Sequence, residues 1–194
     1  MTGKSKKDKK LILVPNAVVN ELMLIANKQG KPFYGFVTET LEHALKVYGD
    51  GHSLEEVVDL YELMEIFKSL GTKTISDDMF NYLISKSYEA DKNVLQDKLY
   101  EFGRLCGKSL TSKSERPFET LEKLLSGAGW DLNEVAVTEN NGQARIRCVS
   151  PVLSIEGTEL LLKFIDGVVH ELGYKTQKQD YVKGIVLLEY EKKD

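Results

Sequence analysis

KKLILVPNAVVNELMLIANKQGKPFYGFVTETLEHALKVY, residues Lys9 to Tyr48, decides the fold of about the first quarter of this chain. Lys9 to Val14 is a short apolar run closed by Pro15, too short for a helix and suited to a strand. An amphipathic helix follows and is stopped by Gly30. A second runs from about Phe33 to Tyr48, with Val37, Leu41, Ala44, Leu45 and Tyr48 on one stripe. A lone strand leaves its own backbone donors and acceptors without partners. The same strand of a second copy supplies them, and the resulting two-stranded ribbon has the dimensions of a DNA major groove.

This order resembles the ribbon-helix-helix family of DNA-binding proteins. The resemblance rests on the strand ending at Val14-Pro15, the helix from Asn16, the turn at Gly30 and the FVTETLEHALKVY helix. It implies an intertwined homodimer that sets its paired strands into double-stranded DNA. Counting back from Pro15, Val14, Ile12 and Lys10 fall on the dimer side and Leu13, Leu11 and Lys9 on the groove side. Leucines offer bases neither donor nor acceptor. Leu11 and Leu13 either touch thymine methyls or the register is shifted by one residue.

Charge is placed to match. The whole chain carries a net charge of −4, yet Lys4, Lys6, Lys7, Lys9, Lys10, Lys28 and Lys31 crowd the start against only Asp8 and Glu21. Such an arm either attracts phosphates or is a solvated tail. The amides opening the second helix, around Phe33, Tyr34 and Gly35, can hold a phosphate beside Lys31. The expected DNA-contacting set is Lys4, Lys6, Lys7, Lys9, Lys10, Leu11, Leu13, Lys31 and Tyr34.

At 194 residues the chain has room for one large or two small domains. With 42% hydrophobic and 29% charged residues it has the make-up of a globular protein, and its apolar run Leu11 to Val14 is too short for a signal peptide or a membrane span. A cytoplasmic protein with no membrane partner is expected. Cys106 and Cys148 are the two cysteines, read as buried small hydrophobes rather than a disulfide framework or metal ligands. His43 and His52 lack partners at metal spacing, and His170 is read as a satisfied side chain rather than an axial ligand. No metal and no cofactor are expected.

Beyond the Gly49-Asp50-Gly51 turn, Ser53 and Glu56 form a capping box that opens a helix from Leu54 to Leu70. Further helices are expected over 78–89 and 90–110, then from Pro117 to Leu125. Strands over 132–138 and 143–149 flank Asn140-Asn141-Gly142, a hairpin turn signal. A helix from Thr158 to Leu172 and two more strands complete the chain. The last, Gly184 to Tyr190, is nearly continuous in apolar residues and expected at the centre of the sheet. The fold class is therefore α+β, with an antiparallel sheet packed by helices. The expected division is 1–48 for DNA binding and dimerisation, 49–89 as a helical connector, and 90–194 as a sensing domain.

The stretches LYEFGRLCG (Leu99 to Gly107), GAGW (Gly127 to Trp130), RIRCVSP (Arg145 to Pro151) and FIDGVVHELG (Phe164 to Gly173), leading to IVLLEY (Ile185 to Tyr190), resemble the four-vinyl-reductase type of ligand-sensing domain. That family is a relative of haem-based nitric oxide sensors and of vesicle-tethering subunits. The resemblance implies a pocket for an apolar small-molecule effector, or for a regulatory partner, between the helices and the sheet. Phe102, Cys106, Trp130, Ile146, Phe164 and Val168 are its expected lining. The cysteine cluster of the family's metal-binding members is absent, so no metal is carried over. Gly103, Gly107 and Gly167 point to close helix packing or to ligand contact.

Nucleophile elbows, phosphate loops and H-E-x-x-H are all missing, so no enzyme is expected. Acidic pairs such as Glu55-Glu56 sit at helix starts, where they complement the dipole. The sequence thus reads as a homodimeric DNA-binding transcriptional regulator with a sensing domain. The alternative is a dimeric adaptor that uses its strand for protein contact.

Overall fold

The computed structural model describes residues 10–127 and 130–193. The chain divides between Val57 and Val58 into two compact units.

In the first unit, Lys10 to Pro15 takes no regular secondary structure. The strand expected there is absent from the described residues, because a strand exists only through a ladder and none of the described strands pairs with this stretch. Two helices follow, α1 (Asn16–Lys28) and α2 (Phe33–Gly49), entered from Pro15 and Pro32 respectively. Gly30, at φ +65°, ends α1. Its N–H donates to the Asn27 carbonyl, and the Lys31 N–H donates to that of Ala26 at 3.0 Å, a Schellman closure. Ala26 is the one buried residue among the described residues of this unit.

Helix α3 (Leu54–Ser69) straddles the division. The Ser53 box is made in both directions, Ser53 N–H to Glu56 and Glu56 N–H to Ser53 Oγ. The stretch 49–89, expected as a connector, is shared between the units. Leu63 and Ile66 of α3 are buried in the core of the second one.

The second unit continues with α4 (Asp77–Lys113), a single 37-residue helix whose one non-helical residue is Asp91. The break expected between residues 89 and 90 is thus a kink rather than a gap. Then come α5 (Pro117–Gly127), β1 (Glu134–Asn140), β2 (Gln143–Val149), α6 (Ile155–Glu171), β3 (Tyr174–Val182) and β4 (Ile185–Lys192). Helix α6 begins three residues before the expected Thr158. Ser154 caps it, its Oγ accepting from the Gly157 N–H at 3.1 Å.

The strands form one antiparallel sheet in the order β1-β2-β4-β3. Asn141 and Gly142 both adopt positive φ, as a two-residue hairpin turn requires. β4 is interior as expected, but it alternates buried and exposed residues, so its centrality comes from hydrogen bonding on two sides and not from two covered faces. Ala144, Ile146 and Cys148 of β2 with Val186, Leu188 and Tyr190 of β4 make the inner face. Helices α4 and α6 cross in direct backbone contact. A Cβ added to Gly103 would collide with the Phe164 carbonyl, and one added to Gly167 with that of Tyr100. At the edge of the sheet, Glu122 of α5 accepts from the Val137 N–H of β1 at 3.3 Å.

Candidate functional site

The expected pocket residues converge. Phe102 and Cys106 project from α4, Ile146 from β2, Phe164 and Val168 from α6, and Trp130 from the segment before β1, all into one apolar core. Phe102 and Phe164 are stacked with ring centroids 5.7 Å apart, and Trp130 lies 5.8 Å from Phe164. Phe80, from the N-terminal part of α4, meets Trp130 edge-on at 6.2 Å. These rings fill the space with one another, so an apolar guest enters by displacing them. Gly103, Gly107 and Gly167 serve the helix crossing described above rather than an opening beside it. Burial pushes the Cys106 and Cys148 thiols up to about 12, so neither is a thiolate at neutral pH.

A polar cluster lies against this core, and the pattern of residue types did not single it out. Asp166 is 3% exposed and accepts from Tyr190 Oη at 2.9 Å, Gln179 Nε2 at 2.6 Å and Thr176 Oγ1 at 3.3 Å. His170, one helical turn on, places Nε2 2.7 Å from Thr176 Oγ1 and Nδ1 3.0 Å from Tyr100 Oη. Since Thr176 spends its proton on Asp166, its oxygen accepts from His170 Nε2–H. His170 Nδ1 then accepts from Tyr100. The ring is thus held in one tautomer with both nitrogens engaged. Burial lowers the His170 pKa, Lys193 and Lys163 add to that, and Asp166 opposes it. Burial also raises the Tyr190 hydroxyl well above its ordinary value, and the neighbouring Asp166 carboxylate raises it further. The signal that could have revealed this cluster is a carboxylate inside the apolar run Phe164-Ile165-Asp166-Gly167-Val168.

A second polar cluster surrounds Glu159 of α6. Lys92 Nζ stands 2.6 Å from its carboxylate, Tyr88 donates to it, and Gln96 Nε2 donates at 3.1 Å. Tyr181 of β3 reaches its other oxygen at 3.3 Å. Burial pushes this carboxyl up, but the hydrogen bonds from Lys92 and Tyr88 outweigh burial and leave it below the usual glutamate value. Apart from both clusters, a cavity of about 240 Å³ lies between α3, α4 and α5. Its lining includes Asp59 and Lys123, which are paired at 2.6 Å.

In the first unit, Lys10 is exposed, Leu11 and Leu13 are each 90% exposed, and Tyr34 is 68% exposed. Lys31 pairs with Glu39 at 2.6 Å, so its charge is partly committed within its own chain. That hydrogen bond holds the Glu39 carboxyl below its ordinary range. Lys4, Lys6, Lys7 and Lys9 lie outside the described residues. Among the described residues, no three metal-ligating side chains gather, and no helix is long and apolar enough to cross a membrane.

No family model matches the sequence, and no curated protein matches it. Among solved structures, the chain is similar to the H-NOX domain from Shewanella oneidensis in its Fe(II)CO ligation state. The identity is 14% over 69% of this chain and 98% of that one, with a TM-score of 0.35. An H-NOX family structure solved to probe the function of heme distortion gives 17% identity over 79% and 90% of the two chains, with a TM-score of 0.40. A phenylalanine mutant of the T. tengcongensis H-NOX gives 17% identity over 80% and 93%, with a TM-score of 0.31.

Proposed function

We propose that this chain is a homodimeric DNA-binding transcriptional regulator whose second unit senses an apolar small molecule. The observation that carries the proposal is the bareness of the first unit. Leu11, Ile12, Leu13, Leu24, Leu41 and Leu45 are all more than half exposed, while Ala26 alone is buried among the described residues of this unit. Two short helices with so little core of their own are marginal in water. A second copy supplies the missing cover: Ile12 and Val14 face their counterparts across a paired strand, and the helices close over them. The basic arm and Lys10 then meet phosphates on the outer face of the ribbon. In the second unit the apolar set around Phe102, Trp130 and Phe164 supports an uncharged guest, and no catalytic chemistry is assigned.

Fluorescence anisotropy of double-stranded DNA at two salt concentrations tests the reading. Affinity should fall steeply as salt rises, because bound lysines release condensed counterions. It should also be lost when residues 1–14 are deleted. DNA affinity untouched by that deletion refutes the assignment. The extreme exposure of Leu11 and Leu13 favours a second reading, an adaptor that meets protein through this strand. Replacing both leucines by threonine separates the two: loss of a protein partner with DNA affinity retained selects the adaptor.

A further inference from the structure

Helix α4 bends without a proline or glycine at the bend. Asp91 sits at φ −123°, ψ 22° in the middle of the helix. The flanking residues Glu89, Ala90, Lys92 and Asn93 include neither proline nor glycine, the usual local causes of a kink. The contacts made across the kink come from another element. Glu159 bridges the kink: its carboxylate takes Tyr88 from before it and Lys92 and Gln96 from after it. One group on α6 therefore clasps both arms of the bent helix.

The arm before the kink also has a small core of its own. Ile84 and Tyr88 are buried with Leu160, and Phe80, Leu95, Leu99 and Trp130 pack against them. This cluster is distinct from the main core, and Leu99 and Trp130 are the residues that touch both. Beneath the arm, Trp130 leads directly to Phe164 and Phe102. Straightening α4 would lift Phe80 and Ile84 away and open this aromatic floor, while the main core stayed closed.

We propose that residues 77–90 are a lid, hinged at Asp91 and latched by Glu159, over a site for an uncharged, ring-containing molecule floored by Trp130, Leu160 and Phe164. The inference rests on the sensing reading of the second unit. It adds the route of entry and the element that moves. The ligand takes the place of the Phe80 ring against Trp130, and α4 straightens as the clasp lets go.

Trp130 is the single tryptophan of the chain and reports on the lid directly. Glu159→Gln weakens the latch. Asp91→Ala touches neither latch nor lid; it only restores helix propensity at an exposed kink. Acrylamide quenching of Trp130 and binding of the uncharged probe N-phenylnaphthylamine are measured on the full chain and both variants. Tyr88→Phe, which removes one hydroxyl from the clasp, replaces Glu159→Gln if the latter fails to fold. Quenching should rise in each variant, and apparent affinity for the probe by about tenfold, since the cost of opening has been removed in advance. A Trp130 as protected in Asp91→Ala as in the unaltered chain overturns the hinge. Quenching that rises with no gain in probe binding overturns the site beneath the lid. The sensing reading fails separately, if the bound probe leaves DNA affinity unchanged in a chain whose lid opens as described.

Discussion

Replacing Gly167 by alanine puts the crossing of α4 and α6 to the test. In the middle of a helix, alanine is favoured over glycine by up to about 1 kcal/mol. On propensity alone the variant would be more stable. The structure reverses the sign. A Cβ at this position runs into the Tyr100 carbonyl oxygen and comes within 3.0 Å of the Arg104 nitrogen. Both are main-chain atoms of a long helix and cannot swing aside as a side chain would. Overpacking of this kind costs about 1–3 kcal/mol, and main-chain overlap belongs at the upper end. The net loss is therefore about 2 kcal/mol. At about 2–4 °C per kcal/mol for a unit of this size, the melting midpoint should fall by about 4–8 °C. Gly127→Ala is the control, because its added Cβ would meet only Leu63 Cδ1, at an ordinary 3.9 Å. Thermal unfolding followed by far-ultraviolet circular dichroism reads both. A Gly167→Ala protein that melts at or above the parent refutes the backbone-on-backbone crossing.

Asp166→Ala strands the Tyr190 hydroxyl and the Gln179 amide without their acceptor and should cost about 3 kcal/mol in denaturant unfolding; Asp166→Asn, which keeps one acceptor oxygen, should recover part of it. Burial depresses the pKa of His170 in the folded chain, so its contribution is complete above the unfolded value of about 6.5 and is lost as pH falls through the folded one. The denaturation midpoint should therefore drop between pH 7.5 and 5.5, and drop less in His170→Gln; an equal drop in both removes His170 as the cause. With both thiols raised to about 12 by burial, Cys106 and Cys148 should stay silent to a disulfide reagent at pH 8 and titrate only after unfolding in guanidinium. Fast labelling of either thiol in the native chain would contradict the burial of Cys106 and Cys148 in the core.

Much of the fold was legible because local signals and burial agree. The hairpin at Asn141-Gly142 was readable because that turn needs positive φ at both positions, and the two residues tolerate it. The Ser53–Glu56 box marked the start of α3, and Gly30 marked the end of α1, for similarly local reasons. What escaped is what depends on contacts far along the chain. The capping role of Ser154 was hidden by the proline loop before it. The bend at Asp91 has neither proline nor glycine beside it, and the Glu159 carboxylate that bridges it lies far along the chain. The apolar set around Phe102 and Phe164 was named through the resemblance of its surrounding stretches to a ligand-sensing domain, and its members do meet in one core. The Asp166–Thr176–His170 cluster was not foreseen, because only the register of β3 against α6 brings those groups together. The N-terminal strand is the reverse case: its sequence pattern is clear, yet Lys10 to Pro15 takes no regular secondary structure.

Sedimentation equilibrium of the full chain is the sharpest test of the paired-copy proposal, because Ala26 is the one buried residue among the described residues of the first unit and a second copy would cover its exposed leucines. Pairing two copies predicts a mass near twice the 21.9 kDa of one chain. It also predicts that Leu45→Glu, a charge placed on a side chain 71% exposed in the single chain, drives the mass back toward one copy. A single-chain mass for the unaltered protein at every concentration, or a dimer indifferent to Leu45→Glu, would contradict it.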